Sequence, residues 1–155
     1  SEIDEEGQDK LAAKENERFN NRSKYGFSKF DIPLLFKLSQ IDKPYGYIKT
    51  LASTDLYCMK EIFMRKGWMS SLEYHVYKTE SYYVKDGILR VQFCLEKKVF
   101  CPVMVMAGQT IDLPRGMMHR RISVTDVTIL EVSTKDSNAD SHLVEEGGKF
   151  DGPIS

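Results

Sequence analysis

The sequence has no long apolar run and almost no net charge. Its 155 residues carry a formal net charge of −1, so total charge gives no indication of binding to nucleic acid or to an anionic membrane. No apolar stretch approaches the roughly 20 residues that span a bilayer. Apolar residues make up 41% and charged residues 29%, the balance of a soluble globular protein, and the length suits one ordinary domain.

The chain also has too few cysteines for a disulfide framework. Cys58, Cys94 and Cys101 are odd in number and form no C-x-x-C pair, which argues against disulfides and against a thiolate zinc site. The first ten residues, SEIDEEGQDK, are acidic and polar, unlike a secretory signal. We therefore predict free thiols and a cytoplasmic location.

Composition divides the chain near residue 42. Residues 1–42 are predicted to form a partly flexible N-terminal arm, with a short helix at 10–15. The arm includes an aromatic segment, 27–36, which we expect to pack on the main body or against a second copy of the chain. The sequence thus predicts a homodimer.

Residues 43–155 consist of short apolar runs, rich in Val, Ile, Tyr and Phe, that alternate with turn residues. Strands are predicted at 45–51, 57–64, 69–77, 80–85, 88–93, 103–107, 109–113, 119–123 and 127–133. Asp86-Gly87 between apolar runs predicts a hairpin. Many short strands at regular spacing indicate an all-β barrel or sandwich, followed by a polar tail from Lys135 that wraps the surface.

A first group of polar residues lies between Gly67 and Gly87 and contains Glu73, His75 and Glu80. Alternate side chains of a strand share a face, so Glu73 and His75 are predicted to point the same way. Glu80 follows a short turn and returns to the same interior.

A second group runs from Gly108 through Pro114 and Gly116 to His119. The tight Pro-x-Gly turn is predicted to direct His119 into the barrel, with Arg121 on the same face. Imidazole and carboxylate groups that converge in this way suit one divalent ion such as Zn, Fe, Mn, Ni or Co. The predicted ligands are His75, Glu80 and His119, and Glu73 is either a fourth ligand or a carboxylate outside the coordination shell.

These two groups resemble the two motifs of the cupin superfamily. Glu73 stands where the first motif has its first His, and Ser123 stands where the second motif ends in Asn. The stretches Pro44-Tyr45-Gly46 and Ser71-Leu72-Glu73-Tyr74-His75 are also similar to the cupin domain of type II phosphomannose isomerases. The resemblance implies a double-stranded β-helix, or jelly-roll barrel, with a metal ion and a small sugar or sugar-phosphate substrate.

Two further residues have candidate catalytic roles. Glu131, within an apolar strand, is either outward-facing or a buried base with a raised pKa. In an isomerase, Glu131 or Glu73 would move the proton, and Arg121 would bind a phosphate. For the remaining candidates we expect a solvated surface at Arg115, Arg120 and His142, and either pocket lining or core packing at Tyr77 and Tyr82.

Three functions are compatible with this pattern. The resemblance implies a metal-dependent sugar or sugar-phosphate isomerase that works through an enediolate. Two histidines with one carboxylate are also the ligand set of non-haem iron dioxygenases. Cupin barrels serve as non-catalytic ligand-binding modules as well, so the fold alone does not decide between these functions.

Overall fold

A computed structural model describes residues 5–20, 35–96 and 99–152 of the chain. Contacts divide the chain into two compact units, residues 1–35 and 36–155. The first unit contains helix α1 (Glu5–Asn20), which includes the predicted helix at 10–15 and extends beyond it at both ends. Most of the aromatic segment, residues 27–34, lies outside the described residues. No described helix has the length and apolar character that crossing a lipid bilayer requires.

The second unit is built almost entirely of β-strands. They are β1 (Ser39–Lys43), β2 (Gly46–Ser53), β3 (Tyr57–Met64), β4 (Trp68–Met69), β5 (Leu72–Tyr74), β6 (Glu80–Asp86), β7 (Ile88–Glu96), β8 (Val99–Met106), β9 (Thr110–Leu113), β10 (His119–Ser123), β11 (Val127–Thr134), β12 (His142–Glu145) and β13 (Gly148–Lys149). A 3₁₀ helix, Asn138–Asp140, precedes β12.

Two antiparallel sheets share one core. The first sheet has the order β1-β2-β3-β11-β6-β9, and the second has the order β12-β5-β10-β4-β13, with β7 joined to β10 and β8 joined to β7. Strands of both sheets contribute to a single buried cluster, which includes Ile62, Met64, Tyr82, Val84, Leu89, Val91, Val105, Leu113, Val127 and Ile129. This arrangement confirms the predicted all-β jelly-roll fold.

Alternation along the strands explains which side chains reach the core. In β11, Val127, Ile129, Glu131 and Ser133 are buried while the residues between them are more exposed. The same periodicity that buries the apolar residues therefore also buries the Glu131 carboxylate. The outward-facing alternative for this residue does not apply.

The hairpin predicted at Asp86-Gly87 is wrong. β6 pairs with β11 and β9, whereas β7 pairs with β8 and β10, so the chain passes from one sheet to the other at Gly87. Gly87 has φ +86°, and a Cβ there would lie 2.0 Å from the carbonyl oxygen of Asp126. The glycine is required by this crowded corner rather than by a hairpin turn.

The strand predicted at 69–77 is interrupted. Only β4 and β5 form within it, and the chain leaves the sheet after Tyr74. Segments predicted to lie in the N-terminal arm and in the C-terminal tail join the sheets instead. β1 pairs with β2 ahead of the expected boundary at 42, while β12 and β13 pair with β5 and β4.

Candidate metal centre

The four predicted ligands come from neighbouring elements of the second unit. Glu73 lies in β5 and His75 directly follows that strand. Glu80 begins β6, and His119 begins β10. Because β5 and β10 pair with His119 opposite Glu73, the two sequence motifs meet across one strand pair.

Donor atoms of all four side chains lie close together. Nε2 of His119 lies 2.6 Å from Oε1 of Glu80, and Nε2 of His75 lies 3.6 Å from the same oxygen. Oε1 of Glu73 lies 3.8 Å from Nε2 of His75. One donor atom each from Glu73, His75 and His119 lies within 4.8 Å of the others. The structure thus brings the predicted ligands together, and ion binding by them stays a prediction.

Both imidazoles are oriented through Nδ1. Nδ1 of His75 lies 3.1 Å from the carbonyl oxygen of Asp140, and Nδ1 of His119 lies 2.9 Å from that of Met117. A carbonyl only accepts, so each Nδ1 carries a hydrogen, and a ring that gives up its Nε2 proton presents a lone pair there. Both Nε2 atoms are buried without an aligned hydrogen-bond partner in the described residues. Two unpaired nitrogens beside carboxylates fit a divalent ion, whose histidine ligands are commonly held through the other ring nitrogen.

Glu80 is the carboxylate on which these contacts centre. Its side chain is buried, the hydroxyl of Tyr82 donates to Oε1 at 3.0 Å, and Nζ of Lys78 lies 3.4 Å from Oε2. Burial opposes ionisation, but His119 and His75 outweigh it and hold the pKa of Glu80 well below its usual value. Glu80 is therefore ionised, as a metal ligand must be.

Glu131 is a second buried carboxylate near Glu80. Burial and the negative charge of Glu80 raise the pKa of Glu131 to about 7. Burial lowers the pKa of Lys78, but the carboxylates of Glu131 and Glu80 outweigh it, so the pKa is raised and the ammonium stays charged. Asp136 contacts both Lys78 and Lys60, which completes a buried cluster of alternating charges.

A cavity of about 270 Å³ adjoins the candidate ligands. Its walls include Glu73 and Arg121, the aromatic rings of Tyr45 and Trp68, and the hydroxyl of Ser70. Of the four candidate ligands, Glu73 is the one that lines this cavity. Its side chain is 26% exposed, whereas those of the other three are at most 4% exposed. A small molecule in the cavity would therefore meet the ligand cluster from the Glu73 side.

Arg121 is a buried cation in the wall of this cavity. Its Nη1 donates to the hydroxyl of Tyr82 at 3.2 Å, and its Nη2 donates to that of Tyr45 at 3.4 Å. Nε is buried without a hydrogen-bond partner in the part of the chain that the structure describes. Its hydrogen-bond partners in the described residues are neutral hydroxyls, and the carboxylates of Glu131 and Glu73 act on it without forming an ion pair there, so a guanidinium N–H remains for an anion.

The structure places the other sequence candidates as follows. Tyr77 is 76% exposed, so it does not share an interior face with His75, because the strand ends at Tyr74. Tyr82 is fully buried and hydrogen-bonded to Glu80. Arg115 and the partly exposed His142 lie at the surface as expected.

Arg120 corrects an expectation, since it is buried rather than solvated. Its Nη1 lies 3.2 Å from Glu145 of β12, so the C-terminal segment covers it. Two residues near the ligands were missed by sequence reasoning, namely Lys78 and Asp140. Lys78 lies in the short turn between two predicted strands and Asp140 lies in the polar tail, and charged residues at such positions are usually solvated, so the sequence offered no signal for either.

The comparisons with known proteins identify a family. The profile of the family described as Cupin matches residues 45–147, two thirds of the chain. No curated protein matches the sequence significantly.

Several solved structures share the fold. KdgF from Halomonas sp. aligns with a TM-score of 0.57 and 16% identity, covering 65% of this chain and 91% of that one. The capsular polysaccharide assembling protein CapF from Staphylococcus aureus aligns with a TM-score of 0.63 and 19% identity, covering 76% of this chain and 33% of that one. A single-substitution variant of oxalate decarboxylase from Bacillus subtilis aligns with a TM-score of 0.61 and 17% identity, covering 83% of this chain and 38% of that one. The chain thus spans about a third of the last two proteins, and these identities show a common fold alone.

Glu131→Gln is expected to change how the stability of the metal-free protein depends on pH. Because the pKa of Glu131 is raised from 4.5 to about 7 on folding, its contribution is fully present below pH 4.5 and is lost as the pH rises through about 7. The free energy of unfolding of the wild type should therefore fall relative to that of the variant over this interval. The stability difference is measured by urea unfolding with excess chelator, and Asp151→Asn, which changes an exposed carboxylate, is the control for net charge. Parallel profiles of wild type and Glu131→Gln would contradict the assignment.

The purified protein is expected to contain a divalent metal ion that depends on the buried histidines. Elemental analysis should show loss of the ion in His75→Ala and His119→Ala, because each variant removes one Nε2 donor. His142→Phe is the matched control, since this imidazole is 40% exposed and lies outside the ligand cluster, and a phenyl ring keeps its stacking on Tyr74. Retention of the ion in both His75→Ala and His119→Ala would contradict the predicted metal centre.

Proposed function

Because the chain belongs to the cupin family, we propose that it is a metal-dependent enzyme that isomerises a sugar or sugar phosphate. The observation that carries the proposal is that the buried Nε2 atoms of His75 and His119 lie beside the ionised Glu80 and have, among the described residues, no aligned hydrogen-bond partner. These three groups would hold the ion. When bound, a divalent ion would act as a Lewis acid towards the carbonyl and hydroxyl oxygens of an open-chain sugar.

Glu73 is the proposed proton carrier. It lines the cavity, whereas Glu131 is not among the lining residues and is 5% exposed. A general base must reach the proton that it moves, so geometry favours Glu73 over the enclosed Glu131. Glu73 would take the proton from the hydroxyl-bearing carbon beside the carbonyl, leaving an enediolate, and return it to the former carbonyl carbon. The proton of that hydroxyl would pass to the former carbonyl oxygen, so that the hydroxyl-bearing carbon becomes the new carbonyl. Glu131 would serve instead if substrate binding opened a path to it.

Arg121 is proposed to bind the anionic end of the substrate. The unpartnered Nε and the neutral partners of its other nitrogens support this role, because a buried guanidinium is well suited to a phosphate. The aromatic rings of Tyr45 and Trp68 in the same cavity suit the apolar faces of a sugar. The name of CapF, a capsular polysaccharide assembling protein with the same fold, agrees with a carbohydrate ligand.

A non-haem iron dioxygenase is the second candidate. The donor atoms of Glu73, His75 and His119 form a group of two imidazoles and one carboxylate, which is the ligand set of that chemistry. In this alternative Glu73 is a ligand rather than a proton carrier. Bound iron together with oxygen consumption would favour it over the isomerase.

The proposal includes a cytoplasmic homodimer. Cys58, Cys94 and Cys101 form no disulfide among the described residues, which supports a reducing compartment. Exposed apolar side chains along β8, including Phe100, Met104 and Met106, offer a surface for a second copy of the chain. Light scattering of the concentrated protein tests this part of the proposal. A monomeric mass would reject the dimer.

Metal-loaded protein is expected to interconvert an aldose and a ketose within a panel of sugars offered with and without a phosphate. A chelator should stop the reaction, and added metal should restore it, because the ion is required. The phosphorylated member of a matched pair should have the lower KM, since Arg121 binds its anionic end. The absence of turnover on every member of the panel would reject the isomerase, and ligand binding without turnover would indicate a non-catalytic module.

Glu73→Gln separates the two roles of this residue. As the proton carrier, Glu73 is expected to be dispensable for the ion but needed for turnover, which should fall by about 10²- to 10⁴-fold. Glu80→Gln is the companion variant and should lose the ion. Metal content and kcat are measured on the same preparations. Loss of the ion from Glu73→Gln, to the extent seen in Glu80→Gln, would make Glu73 a ligand and exclude it as the base.

A further inference from the structure

The C-terminal segment touches the first ligand motif at several points. Asp140 ends the 3₁₀ helix Asn138–Asp140 and is 7% exposed. Two residues later β12 begins, and it pairs with β5 so that Leu143 lies opposite Glu73. The ring of His142 stacks on that of Tyr74, with ring centroids 4.8 Å apart. The candidate ligands of the first motif are thus held from a stretch of chain more than sixty residues away.

The carboxylate of Asp140 binds the main chain that follows His75. Its Oδ1 accepts the N–H of Val76 at 2.8 Å, and its Oδ2 accepts the N–H of Lys78 at 2.9 Å. The N–H of Tyr77 lies between them, 3.2 Å from Oδ1 and 3.1 Å from Oδ2. Three consecutive N–H groups thus bind one carboxylate instead of a neighbouring strand. This contact accounts for the departure of the chain from the sheet after β5.

The main chain of Asp140 contacts the ligand itself. Its carbonyl oxygen accepts the hydrogen bond from Nδ1 of His75. The carboxylate and the carbonyl of one residue therefore fix both the loop that carries His75 and the ring orientation that turns Nε2 towards Glu80. On the other side, the N–H of Gly116 donates to the carbonyl of His75 at 2.7 Å.

An amide could not replace this carboxylate. A carboxylate offers acceptor oxygens only, whereas an asparagine side chain places an NH₂ donor where one oxygen had been. In Asp140→Asn, at least one of the three N–H groups would therefore face a donor and lose its partner. The variant is isosteric, so it removes the hydrogen bonds without opening a cavity.

We propose that Asp140 is a positioning residue of the metal centre, which holds His75 in the ring orientation and Nδ1–H tautomer that metal binding requires. The inference rests on the metal binding in the proposed function and does not depend on the isomerase reaction. The inference gives the C-terminal segment a structural role in the metal centre, whereas the sequence predicts only that this segment wraps the surface.

The test compares Asp140→Asn with Asp126→Asn. Asp126 is a matched control, because its Oδ1 accepts the N–H of Lys66 at 2.8 Å in a turn that contacts none of the candidate ligands. Cobalt(II) affinity is measured by competition with a chromophoric chelator, and the visible spectrum of the bound ion reports its ligands. Asp140→Asn should weaken binding by about 10- to 100-fold and alter the spectrum, as loss of a partner that orients a ligating histidine does. Asp126→Asn should match the wild type.

A second measurement needs no metal. Side-chain ¹⁵N NMR at alkaline pH, where the imidazole is neutral, should show His75 as the Nδ1–H tautomer in wild type and a mixture in Asp140→Asn. If the wild type binds no cobalt, the metal binding assumed in the proposed function is contradicted. The His75 tautomer in wild type and Asp140→Asn then still tests whether Asp140 positions the imidazole of His75. A folded Asp140→Asn protein with wild-type cobalt affinity and an unchanged His75 tautomer would overturn the inference.

Discussion

The buried carboxylate of Glu80 is the group on which the rest of the site depends. An ionised carboxylate without partners is too costly to bury, so its surroundings must supply positive charge and hydrogen-bond donors. The structure supplies them from several elements, with Nζ of Lys78 at 3.4 Å and the hydroxyl of Tyr82 at 3.0 Å. Nε2 of His119 lies 2.6 Å away, where its proton in the metal-free protein, or a bound divalent ion, would complete the compensation. Removal of any one of these would leave the Glu80 carboxylate less well compensated in a low-dielectric interior.

Charge balance then connects the metal centre with the neighbouring cavity. Lys78 is shared between Glu80 and Asp136, and the raised pKa of Glu131 shows that the cluster does not readily accept another negative charge. Arg121 is linked to the same cluster, because it donates to Tyr82, which donates to Glu80. A substrate anion beside Arg121 and an ion beside Glu80 would therefore influence each other through one hydrogen-bonded chain.

Much of the site could be predicted from the sequence, because spacing within a strand and across a tight turn determines where side chains point. That reasoning brought His75, Glu80 and His119 together from two separate motifs. It failed at Asp86-Gly87, because the local signal of a turn does not tell a hairpin from a corner between two sheets. It also missed Asp140, whose partners lie 62 to 65 residues away along the chain. A polar residue in a polar tail reveals such a contact only once the chain has folded.

Glu73 shows how one substitution can change the character of the site. Where the related motif has an imidazole, this chain has a carboxylate that adds negative charge beside His75, 3.8 Å from its Nε2. The position is also the side of the ligand cluster that faces the cavity. A residue there meets an incoming molecule first, so a carboxylate at this position can act on that molecule as well as complete the coordination shell. The departure from the family pattern is thus a reason to place reactivity, rather than ion affinity alone, at this position.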